Sequence, residues 1–189
     1  MACPTFAKEL LQSVKPKLFT LAIVEKNDRV LLGLKKTGFG SGYYNGFGGK
    51  VEPGETIAQA AHRELQEEAG ITATSLQHRG VLTFAFDDQQ LPWEVHVYRV
   101  PDYTGEPSES QEMAPVWMHP QELPYDQMWA DDRWWYPLFL RGASFRGVFA
   151  FTNTTQLVWH TLQEVEEPAK LPALELLTSQ QQSQQREYR

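Results

Sequence analysis

GKVEPGETIAQAAHRELQEEAGI, residues 49–71, is the stretch on which the fold turns. Thr56 can cap a helix with Gln59 answering three residues later, and Gly70 is placed to end it, so the spacing predicts a helix over 57–69. Ile57, Ala61 and Leu65 are its expected buried stripe. Glu64, Glu67 and Glu68 follow at i, i+3 and i+4, which confines them to an arc of about 100° on one helix face. Carboxylates that close raise one another's pKa and repel unless a cation lies among them. Oxygen-only ligands favour a hard divalent ion, magnesium or manganese, over zinc. A bare ExxEE string is equally the signature of a solvated acidic face, so the surrounding residues must decide.

Upstream, apolar runs at 18–24 and 29–34 flank Lys26-Asn27-Asp28 and predict a strand, a turn and a second strand. GFGSGYYNGFGG, residues 38–49, carries too many glycines for a helix and should form a loop or irregular strand. Downstream, residues 80–86 and 93–100 read as strands joined across Asp87-Asp88-Gln89-Gln90, and residues 114–118 as a further short strand. A second helix over 133–141 can be capped by Asp131 or Asp132, although Pro137 should restrict or kink it. Residues 146–151 and 156–162 suggest a closing hairpin, whereas the Gln-rich residues 179–189 lack core formers and should be disordered. Strands with two helices predict an α+β chain arranged as an α/β/α sandwich.

The 189 residues suit one domain with extensions, taken as 1–17, 18–166 and 167–189. Seventeen basic against 24 acidic residues, a net charge of −7, disfavour long nucleic acids and leave small phosphorylated molecules as substrates. Cys3 is the only cysteine, so no internal disulfide or zinc cluster can be built from cysteines, and a reducing compartment is expected. Residues 1–17 are too charged for a secretory leader, and no apolar run spans a membrane. The expectation is a soluble cytoplasmic monomer, with mitochondrial and nuclear pools left open.

Taken together, Gly49, Glu55, Arg63-Glu64-Leu65, Glu67-Glu68 and Gly70-Ile71 resemble the Nudix box at every defining position. The resemblance implies a mixed-sheet α/β/α sandwich with a catalytic loop-helix-loop that hydrolyses nucleoside diphosphate derivatives. It implies Glu64 and Glu68 as main metal ligands, Glu67 sharing the metal or acting on water, and Arg63 orienting a glutamate. The general base stays open among the glutamates. A carboxylate from outside the helix completes such sites, and Glu112 is the candidate, with the Gly48 carbonyl as a backbone ligand.

Beyond the box, LLGLKKTGFGSGYYNGFGGKVEPGET, EVHVYRV, SQEMAPVW and MWADDRWWYPLFL are similar to the MutT-homologue branch, hydrolases of oxidised purine nucleoside triphosphates. That similarity implies a nucleotide pocket of Thr20, Lys35, Asn45, Phe47, Gly48, Gly49, Lys50, Trp129, Ala130, Asp131 and Asp132, with Phe39, Phe84 and Trp93 nearby. Magnesium would be the cofactor, and nucleoside monophosphate and pyrophosphate the products. By their own chemistry, Trp129 offers a stacking face, Asn45 a donor and an acceptor, and Asp131-Asp132 a pair that can hold one proton. The bland alternative for the two acids is helix capping, and for Trp129 a place in the core.

This chain departs from the branch's common pattern at Tyr43-Tyr44, at Ala130 and at Trp93, which bears on base selectivity. Hydrolases of ADP-ribose, dinucleoside polyphosphates or capped RNA share the box, isopentenyl diphosphate isomerase shares the fold but needs a catalytic cysteine, and a noncatalytic nucleotide-binding module is the alternative of a different class.

Overall fold

Asn27 and Asp28 both take positive φ, 52° and 56°, and so turn the chain between two apolar runs into a tight hairpin. The computed structural model describes residues 2–12 and 15–168; the stretch expected to be disordered, 179–189, lies outside them. In chain order the elements are α1 (Thr5–Leu11), β1 (Lys17–Lys26), β2 (Arg29–Lys35), β3 (Tyr44–Asn45), α2 (Ile57–Ala69) and β4 (Thr72–Ala73). Then follow β5 (Gln77–Phe86), β6 (Trp93–Val100), β7 (Tyr103–Thr104), β8 (Met113–Met118), 3-10 turns at Pro120–Glu122 and Tyr125–Gln127, α3 (Asp132–Leu140), β9 (Phe145–Thr152) and β10 (Gln156–Glu164).

Eight strands make one mixed sheet in the order β10-β9-β5-β6-β1-β2-β3, with β8 also paired to β2, while β4 and β7 pair apart from it. β1 runs parallel to β6, and β5 parallel to β9. Side chains alternate across this sheet and both faces are covered, which is why its central strands are apolar throughout. From β1, Leu21 and Ile23 pack with Trp135, Tyr136 and Phe139 of α3, whereas Ala22 and Val24 pack with Leu65 and Ala69 of α2. From β9, Phe149 and Phe151 join the α3 side, and Val148 and Ala150 meet Ala7 and Leu11 of α1. The expected mixed-sheet sandwich therefore forms, with α3 on one face and α1 and α2 on the other.

Three local expectations need correction. The N-terminal extension carries α1, a seven-residue helix without a side-chain cap, held by its packing on the sheet rather than by local signals. In α2 the buried residues are Ala60, Ala61, Leu65, Glu68 and Ala69, and Ile57 at its first turn is only half-buried. Neither Asp131 nor Asp132 makes the expected side-chain cap on α3, which continues through Pro137. The capping box of α2 does form: Thr56 Oγ1 accepts from the Gln59 amide at 3.2 Å, and Gln59 Oε1 accepts from the Thr56 amide at 2.7 Å.

The feature that positions the site is a fork in the sheet. β1 pairs with β2 only where Val24, Glu25 and Lys26 face Leu31, Val30 and Arg29; beyond that the strands part. The Gly-rich segment enters the gap, bridging Ala22 to Phe47 and Phe19 to Lys50. Its backbone lies so close to β1 that a Cβ on Gly48 would stand 2.0 Å from the Thr20 carbonyl oxygen, and one on Gly46 2.9 Å from that of Ala22. Substituting Gly48→Ala is expected to force the two segments apart and cost about 1–3 kcal/mol of stability. Urea unfolding checks this: the midpoint should fall with the slope unchanged, and an unaltered midpoint would mean that the close approach does not support the fold.

Candidate active site

A cavity of about 490 Å³ opens at the fork. Its walls include Thr20, Lys35, Phe39, Asn45, Gly48, Gly49, Phe84, Trp93, Glu112, Trp129, Asp131 and Asp132, so most of the expected pocket residues come together. Three do not line it. Phe47 is fully buried on the α2 side with Leu31, Leu65 and Met113, because strand alternation turns it away from the cavity. Lys50 is exposed and Ala130 packs into the core beneath α3. Leu21, Leu82, Phe86 and Phe151 are walls that sequence reasoning missed, as are Phe19 and Trp135. The period of two along β5 could have supplied Leu82 and Phe86 once Phe84 was chosen.

One end of the cavity is polar, lined by Lys35, Gly48, Gly49 and Glu112, with the acids of α2 beside it rather than among its walls. Glu68, 3% exposed, accepts from the Gly48 amide at 2.8 Å and from Lys35 Nζ at 2.9 Å. The same ammonium donates to Glu112 Oε2 at 2.8 Å, tying the residue just before β8 to α2. Beside them Arg63 forms a hub. Its Nε and Nη2 donate to the two oxygens of Glu55 at 3.1 and 2.7 Å, its Nη1 to Glu64 at 2.8 Å and Glu67 at 3.1 Å, and its Nη2 also to the Lys50 carbonyl at 3.1 Å. A Cβ on Gly49 would stand 2.4 Å from Glu64 Oε1, so glycine is what lets this carboxylate lie against the loop.

Burial pushes the pKa of Glu68 up, with the charge of Glu64 adding to it and the bonds from Lys35 and Gly48 opposing it. Burial likewise raises Glu64, helped by the charges of Glu67 and Glu112 and opposed by Arg63. The four acids thus feel one another across a small volume. Among the described residues no three acidic, histidine or cysteine groups close around a single metal-sized point; the carboxylates are drawn instead onto Lys35 and Arg63. The donor set still fits a hard divalent cation, being all oxygen, partly desolvated and mutually repelling.

The other end is aromatic. Phe39 stacks on Trp129 at 4.9 Å between centroids and leans on Trp93 at 5.1 Å, while Trp93 stacks on Phe19 at 4.6 Å. Set into this wall are two acids, Asp131 and Asp132, 3% and 2% exposed. Asp131 Oδ2 accepts from Trp135 Nε1 at 2.9 Å, and Asp132 Oδ2 accepts from the Trp129 amide at 3.0 Å. Burial drives Asp131 up to about 6, and burial together with the charge of Asp131 drives Asp132 well above its usual range.

This geometry, carboxylates at one end and a desolvated acid pair at the other, can be set beside known proteins. The chain is 50% identical over 151 residues to an oxidized purine nucleoside triphosphate hydrolase of Danio rerio, covering 80% of this chain and 97% of that one. It is 41% identical to a protein of the same description from Mus musculus, covering 79% and 96%. Among solved structures, a mutator MutT protein from Bacillus halodurans superposes with a TM-score of 0.70 at 28% identity, covering 78% of this chain and 97% of that one. The family model described as NUDIX domain matches residues 16–139, which takes in β1, the fork, α2 and most of α3. On that match and those identities, the chain belongs to the NUDIX family and is a hydrolase.

Proposed function

We propose that the protein hydrolyses oxidised or otherwise modified purine nucleoside triphosphates, such as 8-oxo-dGTP and 2-hydroxy-dATP, to nucleoside monophosphate and pyrophosphate. It thereby clears damaged nucleotides from the pool. The observation that carries the reading is the buried Asp131-Asp132 pair, set in an aromatic wall of the same cavity that Glu112, Lys35 and Gly48 also line, the last two bonded to Glu68 of α2. Relatives at 50% and 41% identity carry the corresponding description.

At the phosphate end, Glu64, Glu67, Glu68, Glu112 and the Gly48 carbonyl are the proposed ligands. Hydrolases of this family use a divalent metal; here we assign magnesium, with manganese as the alternative, which when bound neutralises phosphate oxygens and acidifies an attacking water. Arg63 fixes Glu64 and Glu67 in orientation, and the buried Glu68 is held by Gly48 on one oxygen. Lys35, already reaching between Glu68 and Glu112, is positioned to meet a phosphate. Glu67 and Glu68 are the candidates for proton acceptor from water.

At the base end, two adjacent buried acids cannot both ionise cheaply. Burial and mutual repulsion raise both, so the pair holds one proton near neutral pH, with one member as donor and the other as acceptor. One donor beside one acceptor suits the altered edges of 8-oxoguanine and 2-hydroxyadenine, with Asn45 adding a further donor and acceptor. Trp129 provides the stacking face and Trp93 narrows the opening. Catalysis is assigned to residues 18–166, acting as a monomer on small nucleotides in the cytoplasm. No helix among the described residues is long and apolar enough to cross a membrane.

A steady-state panel of normal and modified purine triphosphates with magnesium, scored for monophosphate and pyrophosphate, tests the reading, and a preference for ADP-ribose would overturn it. Glu68→Gln should lower turnover by orders of magnitude while circular dichroism and melting stay those of the native fold; near-normal turnover would remove Glu68 from the chemistry. Asp131→Asn should reduce the ratio of kcat/KM for 8-oxo-dGTP over dGTP, with a ratio unchanged from that of the native protein as the opposing result.

A further inference from the structure

Lys35 and Lys36 are neighbours in the chain and hold one loop at different points. Lys35, the last residue of β2, lines the cavity and donates to the Glu112 carboxylate at 2.8 Å. The Lys36 ammonium takes other partners, Glu109 Oε1 and the Ser110 carbonyl, each at 2.7 Å, and its backbone amide donates to the Glu112 carbonyl at 2.7 Å. Lys36 itself is not among the walls of the cavity.

Glu112 depends on its loop for its place. Its side chain is 60% exposed, and residues 105–112 run between β7 and β8 without regular structure. Upstream, this loop is seated on the end of α2: the Ser108 amide donates to the Ala69 carbonyl at 2.9 Å, and a Cβ on Gly70 would stand 2.3 Å from Ser108 Oγ. Downstream it closes on itself. Ser110 Oγ accepts from the amides of Glu112 and Met113 at 3.2 and 3.0 Å, and the Ser110 amide donates to the Met113 carbonyl at 2.9 Å. The Lys36 ammonium meets the loop where these two parts join. An exposed ion pair adds little to folding stability, but the hydrogen bonds from Lys36 fix the course of the chain that carries Glu112. A ligand held in place beforehand spares the metal the cost of ordering it.

We propose that Lys36 is a positioning residue for the divalent metal: by holding Glu109 and the Ser110 carbonyl, it fixes the loop from which Glu112 reaches the ion. This rests on the reading of Glu112 as a metal ligand. Lys36 has two opposed effects on a cation, and they differ in sign. As a positive charge near the carboxylates it repels the ion, so its removal, which also frees Glu109, would tighten binding. As the holder of the loop, its removal loosens a ligand and weakens binding.

Mn2+ binding to the full chain without nucleotide, followed by the EPR signal of the free ion, separates the two. Lys36→Met keeps the stem and removes the ammonium. The expected result is a Kd about tenfold weaker, the lower end of what partners of metal ligands contribute, with the melting temperature little changed. Ser110→Ala, which removes the acceptor of the Glu112 amide, should weaken Mn2+ in the same direction and carries the test if Lys36→Met does not fold. On a Glu112→Gln background Lys36→Met should have no further effect, because its influence runs through that carboxylate. Unchanged or tighter Mn2+ binding in Lys36→Met, or an equal loss with and without the Glu112 carboxylate, overturns the proposal. If Glu112→Gln alone leaves Mn2+ affinity at its native value, the ligand reading of Glu112 fails and takes Lys36 with it. If Glu112→Gln weakens binding and Lys36→Met does not, only the role of Lys36 falls.

Discussion

A backbone without Cβ atoms at Gly48 and Gly49 is the constraint from which the site follows. Gly48 lies against the Thr20 carbonyl on one side and donates its amide to Glu68 on the other; Gly49 lies against the Glu64 carboxylate. Together with the Ala22–Phe47 and Phe19–Lys50 bridges, those contacts join three elements: the parting strand β1, the glycine-rich loop and the carboxylate face of α2. A side chain at either position would open the fork and move the glutamates relative to the cavity. The close approach also explains why Glu68, an acid, belongs to the buried face of an otherwise apolar helix stripe. Its desolvation is offset by an amide and an ammonium, each at hydrogen-bond distance.

Acids are buried beside one end of the cavity and in the wall of the other, but the compensation differs. On α2 the negative charges are met by Arg63 and Lys35, which spread over several carboxylates and can exchange partners when a more highly charged species arrives. At Asp131 and Asp132 the partners among the described residues are an indole and a backbone amide, both neutral donors, and no ion pair to a cation is found there. A neutral donor stabilises a carboxylate less than a cation does. The pair therefore retains a proton that the α2 acids, facing cations, have less reason to hold. Opposite ends of one cavity are thus tuned for different ligands, polyanionic at the first and a neutral ring with both donors and acceptors at the second.

What could be read from the chain divides along the same line. The helix over 57–69 agrees with Ile57–Ala69 because its start, its stop and its apolar period are all local signals, and the hairpin at Asn27-Asp28 is likewise written in neighbouring residues. The pocket candidates Asn45, Trp129, Asp131 and Asp132 were legible through resemblance, not through periodicity. Phe47 was misplaced because alternation cannot be counted through an irregular strand of glycines, and α1 was missed because seven residues give too little pattern for a helix that forms by docking. Nothing in the sequence singled out Trp135. Only the direction of its indole N–H, which no sequence pattern carries, sets it apart from Trp134 beside it, whose ring is 46% exposed and lies against His160 at 4.3 Å.

The departures from the branch pattern can now be placed. Tyr43 meets the edge of Trp129 at 5.3 Å, and Trp93 lies between Phe19 and Phe39, so both lie around the aromatic end of the cavity. Neither touches the hydrogen bonds that tie Gly48, Lys35 and Arg63 to the glutamates. Substitution at such positions changes the width and stacking of the base slot while leaving the phosphate end as it is, since the two are joined only through the rigid backbone of the fork. An arrangement of this kind lets purine preference drift without loss of hydrolysis, and it locates the determinants of that preference in side chains around the aromatic wall, above a fixed pair of acids whose protonation the wall itself controls.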